Sequence, residues 1–437
     1  MSTTEETIET EKVIDNLEED NTLALLKARL AKKEDMPVKI VQEKKKSLKF
    51  GVVGTGQAGS RLAEQFYKLG YQTVVCNTAT QDLSHIQVPE PNKLHLNYGF
   101  GGAAKELEIG KAAAESHRDA INEIVNLKLD ESQLYILAFS LGGGSGAGSA
   151  EVIADILVQT GKPVIAIAVL PMESEDAQTK SNSLETLKKV ADLLKSDKIQ
   201  NLILVDNAKI ESILSDVSQL DFYNVANQAI VEPIEMFNVF TSQDSQMKAL
   251  DTTEFVKLMV DGKGLSVFGS LKVHNYTDPT AIAEAILTNL NNNLLADGLD
   301  LKKSRYAGYI AIASEKVWQQ IPKGSIGYAN TLILEACGTP KALFQGQYVS
   351  SDNDDCIKIY SMFTGLELPM SRIEALKKES QELMSKATAK DAERIINLDF
   401  DTGKNATISA AQKIKDTIAQ KSSTFGKFFG NSIDKRK

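Results

Sequence analysis

The run of residues 141–148, Leu-Gly-Gly-Gly-Ser-Gly-Ala-Gly, constrains the fold of this chain more than any other feature. It follows the apolar segment 134–139 and precedes the helical pattern of residues 150–160. Glycine lets bare backbone wrap closely around a ligand, and the unpaired amides and dipole of a helix amino terminus favour a polyphosphate. A flexible turn would not need so many glycines. The run therefore predicts a phosphate-binding loop, although it lacks the lysine of a P-loop.

A second glycine turn, residues 54–59 (Gly-Thr-Gly-Gln-Ala-Gly), follows a predicted strand and opens a predicted helix. Taken alone it matches GxGxxG, the dinucleotide-binding fingerprint. That interpretation requires an acidic residue about 20 positions further on, at the end of the second strand. Residues 75–78 read Val-Cys-Asn-Thr instead, so a nicotinamide-dependent dehydrogenase is disfavoured.

Short apolar runs alternate with helical patterns from residue 49 onward, which predicts a parallel sheet covered on both faces. Strands are expected at 49–54, 73–76, 93–97, 133–139, 163–169 and 200–205, with helices near 58–69, 106–126, 148–160, 176–194 and 208–215. A long helical segment, 219–240, follows these elements.

The second part of the chain has its own set of elements. Helical patterns are expected at 252–261, 279–292, 325–337 and 370–397, and strands near 265–272, 306–313, 341–349 and 356–363. We therefore predict an α/β protein with two α/β domains. Its parts are a charged, partly helical extension (1–47), a Rossmann-like nucleotide-binding domain (48–218), a central helix and its continuation (219–250), a smaller α/β domain (251–368), and a carboxyl-terminal helix with a basic tail (369–437).

Composition excludes several classes of protein. A formal charge of −9 disfavours whole-chain attraction to nucleic acid or anionic membrane. Three cysteines without paired spacing disfavour a disulfide framework. The acidic start lacks the apolar region of a signal peptide, and the longest apolar runs are too short to span a bilayer. The four histidines form no metal-ligand spacing. We expect a cytoplasmic protein.

The glycine turns and the segments around them resemble the tubulin/FtsZ superfamily, whose signature loop GGGTGSG is matched by residues 142–148. The resemblance covers residues 49 to about 365 and is weaker after 265. It implies GTP or GDP contacts at the matching positions. These are Gly54, Gly56, Gln57, Ala58 and Gly59 in the first phosphate loop, Asn77 in the turn after the second strand, Gly101, Gly102 and Ala103 in the γ-phosphate loop, and Gly142, Gly143, Gly144, Ser145 and Gly146 in the signature loop.

The resemblance also implies a guanine site. Asn207 lies in a Val-Asp-Asn-Ala segment close to the tubulin VDNEA, and Tyr223 and Asn227 match the family's stacking aromatic and second guanine-reading asparagine. Aromatic faces supply stacking area, and an Asn amide offers both a donor and an acceptor. Taken alone, each Asn suits a helix cap or a solvated position better. Glu175 is a further candidate, for the ribose.

Three positions depart from the family pattern. Ala79 stands where the family has an acid, Gln228 where FtsZ has aspartate, and the loop 172–182 lacks the FtsZ arginine. These departures leave the contacts of that loop open.

Asp251 and Glu254 are the candidate catalytic residues. They open a predicted helix three residues apart, on one face of its first turn. Taken in isolation, such a pair is better explained by simple capping of the helix. The resemblance implies instead that the two acids orient the water that attacks the γ-phosphate, aided by Mg²⁺. It also implies that they act on the nucleotide of the next subunit in a head-to-tail filament. The residues that would bind the metal are not indicated.

The whole sequence is most similar to the plasmid and bacteriophage tubulins, the TubZ and PhuZ groups, because a basic tail follows a long helix. Residues 403–437 contain eight Lys or Arg. The tail is either solvated or a contact for an acidic adaptor or neighbouring subunit; direct nucleic-acid binding would be weak. The resemblance implies a filament-forming GTPase that positions DNA or phage particles. The alternative is a non-hydrolysing paralogue that binds partners or caps filaments, and a division-ring protein is a lesser alternative.

Overall fold

Ten strands form one continuous sheet in the residues that the structure describes, 45–291, 295 and 297–397 of a computed structural model. The strands are β1 (Phe50–Thr55), β2 (Gln72–Asn77), β3 (Lys93–His95), β4 (Leu134–Ser140), β5 (Val164–Leu170), β6 (Asn201–Asp206), β7 (Gly264–Val273), β8 (Tyr306–Ser314), β9 (Ala342–Ser350) and β10 (Ile357–Leu366). Their spatial order is β3-β2-β1-β4-β5-β6-β7-β10-β8-β9.

The first six strands are all parallel, as the alternation of strands and helices predicted. Their central members, β1, β4, β5 and β6, are almost wholly buried apolar runs, because helices cover both faces of the sheet. The predicted strand 93–97 is shorter, ending at His95.

Helices before β7 cover the parallel strands. They are α1 (Gly56–Lys68), α2 (Thr80–Ser84), α3 (Leu107–Ser116), α4 (Arg118–Lys128), α5 (Gly144–Gln159), α6 (Ala177–Lys195), α7 (Asn207–Ile213), α8 (Phe222–Phe240) and α9 (Thr252–Val256). The later helices are α10 (Ala281–Asn291), α11 (Glu315–Trp318), α12 (Lys323–Ala336) and α13 (Met370–Asn397). Short turns of 3₁₀ helix lie at Glu90–Asn92 and Leu301–Lys303, and a π-helical turn at Lys257–Asp261.

Two helix predictions were wrong. The single helix expected at 106–126 is divided into α3 and α4 at His117, whose φ of −112° and ψ of 17° leave the helical region. The His117 ring Nδ1 lies 2.9 Å from the carbonyl oxygen of Ala113, a side-chain contact that competes with the regular ladder. The helix expected to begin at 148 begins at Gly144, so the glycine run forms its first turn.

The strands of the second part continue the sheet. β7 pairs with β6 in parallel, β10 pairs with both β7 and β8 in antiparallel fashion, and β8 pairs with β9 in parallel. All four predicted strands and the predicted helix at 370–397 are confirmed. The predicted division into a nucleotide-binding and a smaller domain stays a prediction, because β6 and β7 hydrogen-bond directly across it.

Of the residues described, those up to Leu376 belong to one compact unit and those from Lys377 to a second. The helix predicted within 1–47 and the basic tail 403–437 lie outside the described residues. Within the described part, no helix combines the length and the apolar character needed to cross a bilayer.

Candidate functional site

The two glycine turns meet at the point where the strand order reverses. β1 lies between β2 and β4, so the chain leaves it in opposite directions on either side. In open parallel sheets this crevice, at the carboxyl ends of the strands, is where ligands bind. A Cβ on Gly56 would lie 2.7 Å from the backbone nitrogen of Gly146, and a Cβ on Gly146 would lie 2.8 Å from the carbonyl oxygen of Thr55. The two loops are therefore in backbone contact.

Close backbone packing, as well as ligand access, requires the glycines of the signature loop. A Cβ on Gly144 would lie 2.8 Å from the Cβ of Ala103, and one on Gly148 would lie 2.3 Å from the carbonyl oxygen of Leu107. Gly143 differs, since the nearest atom to its added Cβ is the Ser140 hydroxyl at 3.1 Å. Packing within the protein therefore requires these glycines in addition to the ligand access expected from the sequence.

The first glycine turn is tightened in the same way. A Cβ on Gly54 would lie 2.5 Å from the carbonyl oxygen of Gly59, and one on Gly59 would lie 2.1 Å from that of Ala138 in β4. Gln57 is exposed and Ala58 half-buried, at the start of α1. Gly56 has a positive φ of 69°, which glycine adopts without strain.

Two pairs of hydroxyl groups join the signature loop and α5 to the turn after β2 and to the end of β1. The Thr78 and Ser145 hydroxyls lie 2.5 Å apart, and those of Thr55 and Ser149 lie 2.7 Å apart. Thr78 was not singled out from the sequence. Its neighbour Asn77 is buried with both ends of its amide engaged, donating to Asp82 and accepting from the backbone of Ala79. Asn77 therefore shapes the turn after β2.

The loop 98–106 has an unusual backbone. Gly99, Gly101 and Gly102 have positive φ, with nothing within 4 Å of an added Cβ. Ala104 and Lys105 also have positive φ, 45° and 64°, where non-glycine residues are uncommon.

The tip and the base of this loop differ in exposure. The Phe100 side chain is fully exposed, with 110% relative accessibility, whereas Ala103 is buried against Gly144. The base of the loop is thus anchored on the signature loop and its tip projects into solvent.

Asn182 ties this loop to the signature loop. Its Nδ2 donates to the carbonyl oxygens of Lys105, at 2.7 Å, and Gly142, at 3.2 Å, while its Oδ1 accepts from Gln178. Asn182 is buried. Nothing in its spacing from the glycines marked it in the sequence, because the contact is made only in the folded chain.

Lys105 also pairs with Asp176, which caps α6 by accepting from the backbone nitrogen of Thr179 at 2.9 Å. Burial opposes ionisation of Asp176, but the hydrogen bonds from Lys105 and Thr179 outweigh it and hold the pKa of that carboxyl below its ordinary value. The pair links the loop 98–106 to the segment that contains Glu175.

Glu175 is half-buried in the segment that follows β5. The shape of this segment is held by Lys180, a buried lysine whose Nζ donates to the carbonyl oxygen of Glu173 at 2.8 Å. This lysine was not recognised from the sequence, which pointed only to the missing arginine.

Tyr223 lies near the start of α8, against α1. The guanidinium of Arg61 lies over its ring, 4.8 Å from the centroid, and Phe222 contacts it edge-on with centroids 5.2 Å apart. Asn227 is half-exposed one helical turn later on the same face. No motif in the sequence marks Arg61, which lies one turn after Gln57 on α1.

Asn207 is half-exposed and opens α7 directly after β6. The preceding Asp206 is buried, caps the backbone nitrogen of Ala208 at 3.2 Å, and accepts from Arg372 Nε at 2.6 Å. Asp206 thus has structural partners, and Asn207 stands at the carboxyl edge of the sheet with the glycine loops.

Asp251 and Glu254 lie at the other edge of the sheet. The ring of Phe255, next to Glu254, lies 6.5 Å from that of Phe50, the first residue of β1. The carbonyl oxygen of Met259, one turn later, accepts from Asn201, the first residue of β6. The candidate acids therefore lie near the amino ends of β1 and β6, whose carboxyl ends carry the first glycine turn and Asn207.

The two acids form a capping box. Glu254 donates its backbone N–H to Asp251 Oδ1 at 2.8 Å, and Asp251 donates its backbone N–H to Glu254 Oε2 at 3.2 Å. The capping interpretation is therefore realised, and it leaves one further oxygen on each carboxylate. Among the described residues, no group of three or more His, Cys, Asp or Glu side chains is arranged to hold a metal ion.

A doubly wound sheet with two glycine turns at its switch point defines a nucleotide-binding fold. Comparison with known protein families identifies which nucleotide-binding family this fold belongs to. Residues 49–215 match the tubulin/FtsZ family GTPase domain, and residues 236–377 match the TubZ-like C-terminal domain of tubulin/FtsZ-like proteins. The chain belongs to the tubulin/FtsZ superfamily and is TubZ-like.

Individual relatives are distant. The chain is 24% identical to cell division protein FtsZ 2 of Methanocaldococcus jannaschii over 325 residues, 73% of this chain and 80% of the relative. It is 21% identical to the tubulin-like protein TubZ of Bacillus cereus over 375 residues, 78% of this chain and 86% of TubZ. A GTPγS-form protofilament of Bacillus thuringiensis serovar israelensis TubZ matches its fold with a TM-score of 0.71 at 18% identity, over 80% of this chain and 96% of that one.

Proposed function

We propose that this protein is a GTPase that assembles head-to-tail into filaments, with each active site completed by the next subunit. The observation that carries the proposal is the separation of the glycine loops from Asp251 and Glu254, at opposite edges of one sheet. One chain cannot bring its own acids to its own nucleotide without unfolding the sheet between them. A second copy stacked along the strand direction can.

The nucleotide lies, in this proposal, along the carboxyl edge. The amides of the two glycine turns and of the loop 98–106 bind the phosphates, Glu175 the ribose, and Asn207 and Asn227 the guanine edge, with Tyr223 stacking on the base. All of these groups follow the carboxyl ends of β1, β3, β4, β5 and β6 or lie in the first two turns of α8.

Mg²⁺ accompanies the nucleotide in this proposal. It keeps several waters and commonly binds through substrate phosphates rather than an all-protein cage. In the part of the chain that the structure describes, acids and histidines form no such cage. The Thr78 and Ser145 hydroxyls, which join the turn after β2 to the signature loop, would supply oxygen ligands to it.

Hydrolysis depends on the neighbour's acids. Asp251 and Glu254 of one subunit orient and deprotonate the water that attacks the γ-phosphate held by the next. Loss of that phosphate loosens the loops at the contact and weakens the filament. Such a contact is heterologous and does not close, which is how filaments grow.

A second candidate, a non-hydrolysing partner-binding or capping module, is favoured by one observation. The acids already satisfy each other's backbone amides in a capping box, so their spacing has a structural reason without catalysis. The departure at Ala79 is consistent with it.

We propose that the filaments segregate DNA in the cytoplasm, with phage positioning as the alternative, and the similarity to TubZ supports this role. The basic tail 403–437 would contact an acidic adaptor or a neighbouring acidic subunit rather than nucleic acid. The domain boundaries given above, with the nucleotide half at 48–218 and the smaller half at 251–368, are part of the same proposal.

Light scattering recorded together with phosphate release separates the two candidates. The proposal expects GTP to raise scattering and release phosphate, and scattering to fall as GTP is consumed, with GDP producing neither change. Binding of GTP without assembly or phosphate release would favour the capping module. A folded protein that binds no GTP would contradict both.

A further inference from the structure

We propose that Lys105 binds the terminal phosphate of GTP, exchanging its contact with Asp176 for the γ-phosphate, and so sets the preference for GTP over GDP. The inference rests on the proposed nucleotide binding and adds a residue to it.

The two glycine turns carry no positive side chain. Residues 54–59 and 142–148 contain neither Lys nor Arg, whereas a nucleoside triphosphate brings several negative charges into contact with them. Backbone amides and a helix dipole offset part of that charge, and a P-loop adds a lysine for the rest. A cation from a neighbouring loop would therefore complement Mg²⁺ in offsetting the charge of the phosphates.

Two contacts hold the backbone around Lys105 against the signature loop. The backbone nitrogen of Glu106, the next residue, lies 2.9 Å from where a Cβ of Gly144 would be. The carbonyl oxygens of Lys105 and Gly142 accept from the same Asn182 nitrogen, at 2.7 and 3.2 Å. The lysine backbone is thus fixed against the phosphate loop.

The partner of Lys105 is placed next to the same loop. Asp176 caps the backbone of Thr179, and the Thr179 Cγ2 lies 2.5 Å from where a Cβ of Gly142 would be. The Lys105 ammonium, in contact with Asp176, therefore lies on the flank of the phosphate loop. A small rotation of a flexible four-carbon stem suffices for the exchange.

The exchange is favourable because the present pair is weak. Both side chains are about half exposed, and exposed pairs contribute little to stability. The positive φ of Lys105 is a costly backbone conformation for a lysine, and such strain is concentrated at functional sites. A triphosphate offers more charge than one carboxylate in a less hydrated place.

Calorimetric titration with GTPγS and with GDP tests the inference, on full-length protein kept below the assembly threshold. Lys105→Gln should weaken GTPγS binding about tenfold and GDP binding less than twofold, and Lys105→Arg should restore most of the difference. Asp176→Asn keeps an N-cap oxygen and frees Lys105, so it should tighten GTPγS binding and not GDP binding. Lys111→Ala, which removes a half-exposed lysine paired with Glu151 at 3.7 Å, is the matched control and should change neither.

The outcomes distinguish a failure of the role proposed for Lys105 from a failure of nucleotide binding itself. An unchanged GTPγS-to-GDP affinity ratio in Lys105→Gln, with the unaltered protein binding both nucleotides, overturns this inference alone. An equal loss for both nucleotides also overturns it, since it would indicate general loop damage. Failure of the unaltered protein to bind either nucleotide overturns the proposed function as well.

Discussion

The ring of Phe255 lies 6.5 Å from the ring of Phe50, and it stacks on Phe237 with centroids 5.9 Å apart. Phe50 begins β1, and Gly56 follows its other end. A six-residue strand of this kind is about 16 Å from first to last residue. This contact fixes the turn with the candidate acids at the edge of the sheet remote from the glycine loops.

The capping and catalytic roles of Asp251 and Glu254 can be separated by amide substitution. Asp251→Asn and Glu254→Gln keep the oxygens that accept in the capping box but remove the carboxylates. We expect hydrolysis to fall about a hundredfold or more while GTP binding and thermal stability stay unchanged and filaments persist longer. Phosphate release measures hydrolysis, calorimetry measures GTP binding and thermal stability, and light scattering measures how long the filaments persist.

Alanine at the same positions serves as the comparison. Asp251→Ala removes the cap as well and should lower the free energy of unfolding by about 1 kcal/mol. Amide variants that hydrolyse GTP at the unaltered rate would mean that the pair is only a cap.

Gly110→Ala should impair nucleotide binding although Gly110 lies on α3. A Cβ there would lie 2.1 Å from the carbonyl oxygen of Gly144, so either α3 or the signature loop must shift, at a cost of about 1–3 kcal/mol. Gly327→Ala in α12 is the matched control, because nothing lies within 4 Å of its added Cβ. It should be neutral or stabilising by about 0.5–1 kcal/mol.

Chemical denaturation and GTP titration check this pair of glycine variants. Equal stability and equal GTP affinity in Gly110→Ala would show that the signature loop does not depend on the close approach of α3.

The rate at which a thiol reagent labels Cys76 should measure how often the protein opens around β2. Burial raises the pKa of its thiol to about 12, so at pH 8 hardly any thiolate is present in the folded chain and reaction with a thiol reagent requires opening. In a variant with Cys337→Ala and Cys356→Ala, labelling at pH 8 should be slow and should slow further with GTPγS, because a ligand that binds the folded state reduces the open population.

Labelling rates measured with and without GTPγS check the expectation for Cys76. Rapid labelling that nucleotide leaves unchanged would place the thiol in a part of the chain that opens independently of the site.

Tyr223 should contribute to GTP binding through its ring rather than through its hydroxyl. Tyr223→Ala should weaken GTP binding about two- to tenfold, the range expected for loss of an aromatic stack. Tyr223→Phe should bind within about twofold of the unaltered protein, because the ring beneath Arg61 is kept. If alanine has no effect, the base lies elsewhere; if phenylalanine is as damaging as alanine, the hydroxyl is the contact.

Periodicity sufficed to predict the parallel sheet and the strands of the second part, and glycine spacing marked the two turns that the structure brings together. Those features depend on local pattern: buried strands are continuous apolar runs, and loops after parallel strands share one edge. The break at His117 depends on one side-chain contact with Ala113, which periodicity does not encode.

Contacts between distant segments could not be predicted. Asn182 meets Gly142 and Lys105, and Arg61 meets Tyr223, only once the helices are packed. The same holds for Gly110, whose contact with Gly144 needs two helices to cross closely. A single sequence marks such residues by type alone, and their types are common on protein surfaces.

GTP turnover per subunit, measured from well below to well above the assembly threshold, tests the shared active site most directly. Asp251→Asn run in parallel gives the rate without the acid. Because the glycine loops and the acids of one chain lie at opposite edges, we predict negligible turnover in dilute protein and a steep rise per subunit as assembly begins. Turnover per subunit that stays constant across the threshold would contradict a site built between two chains.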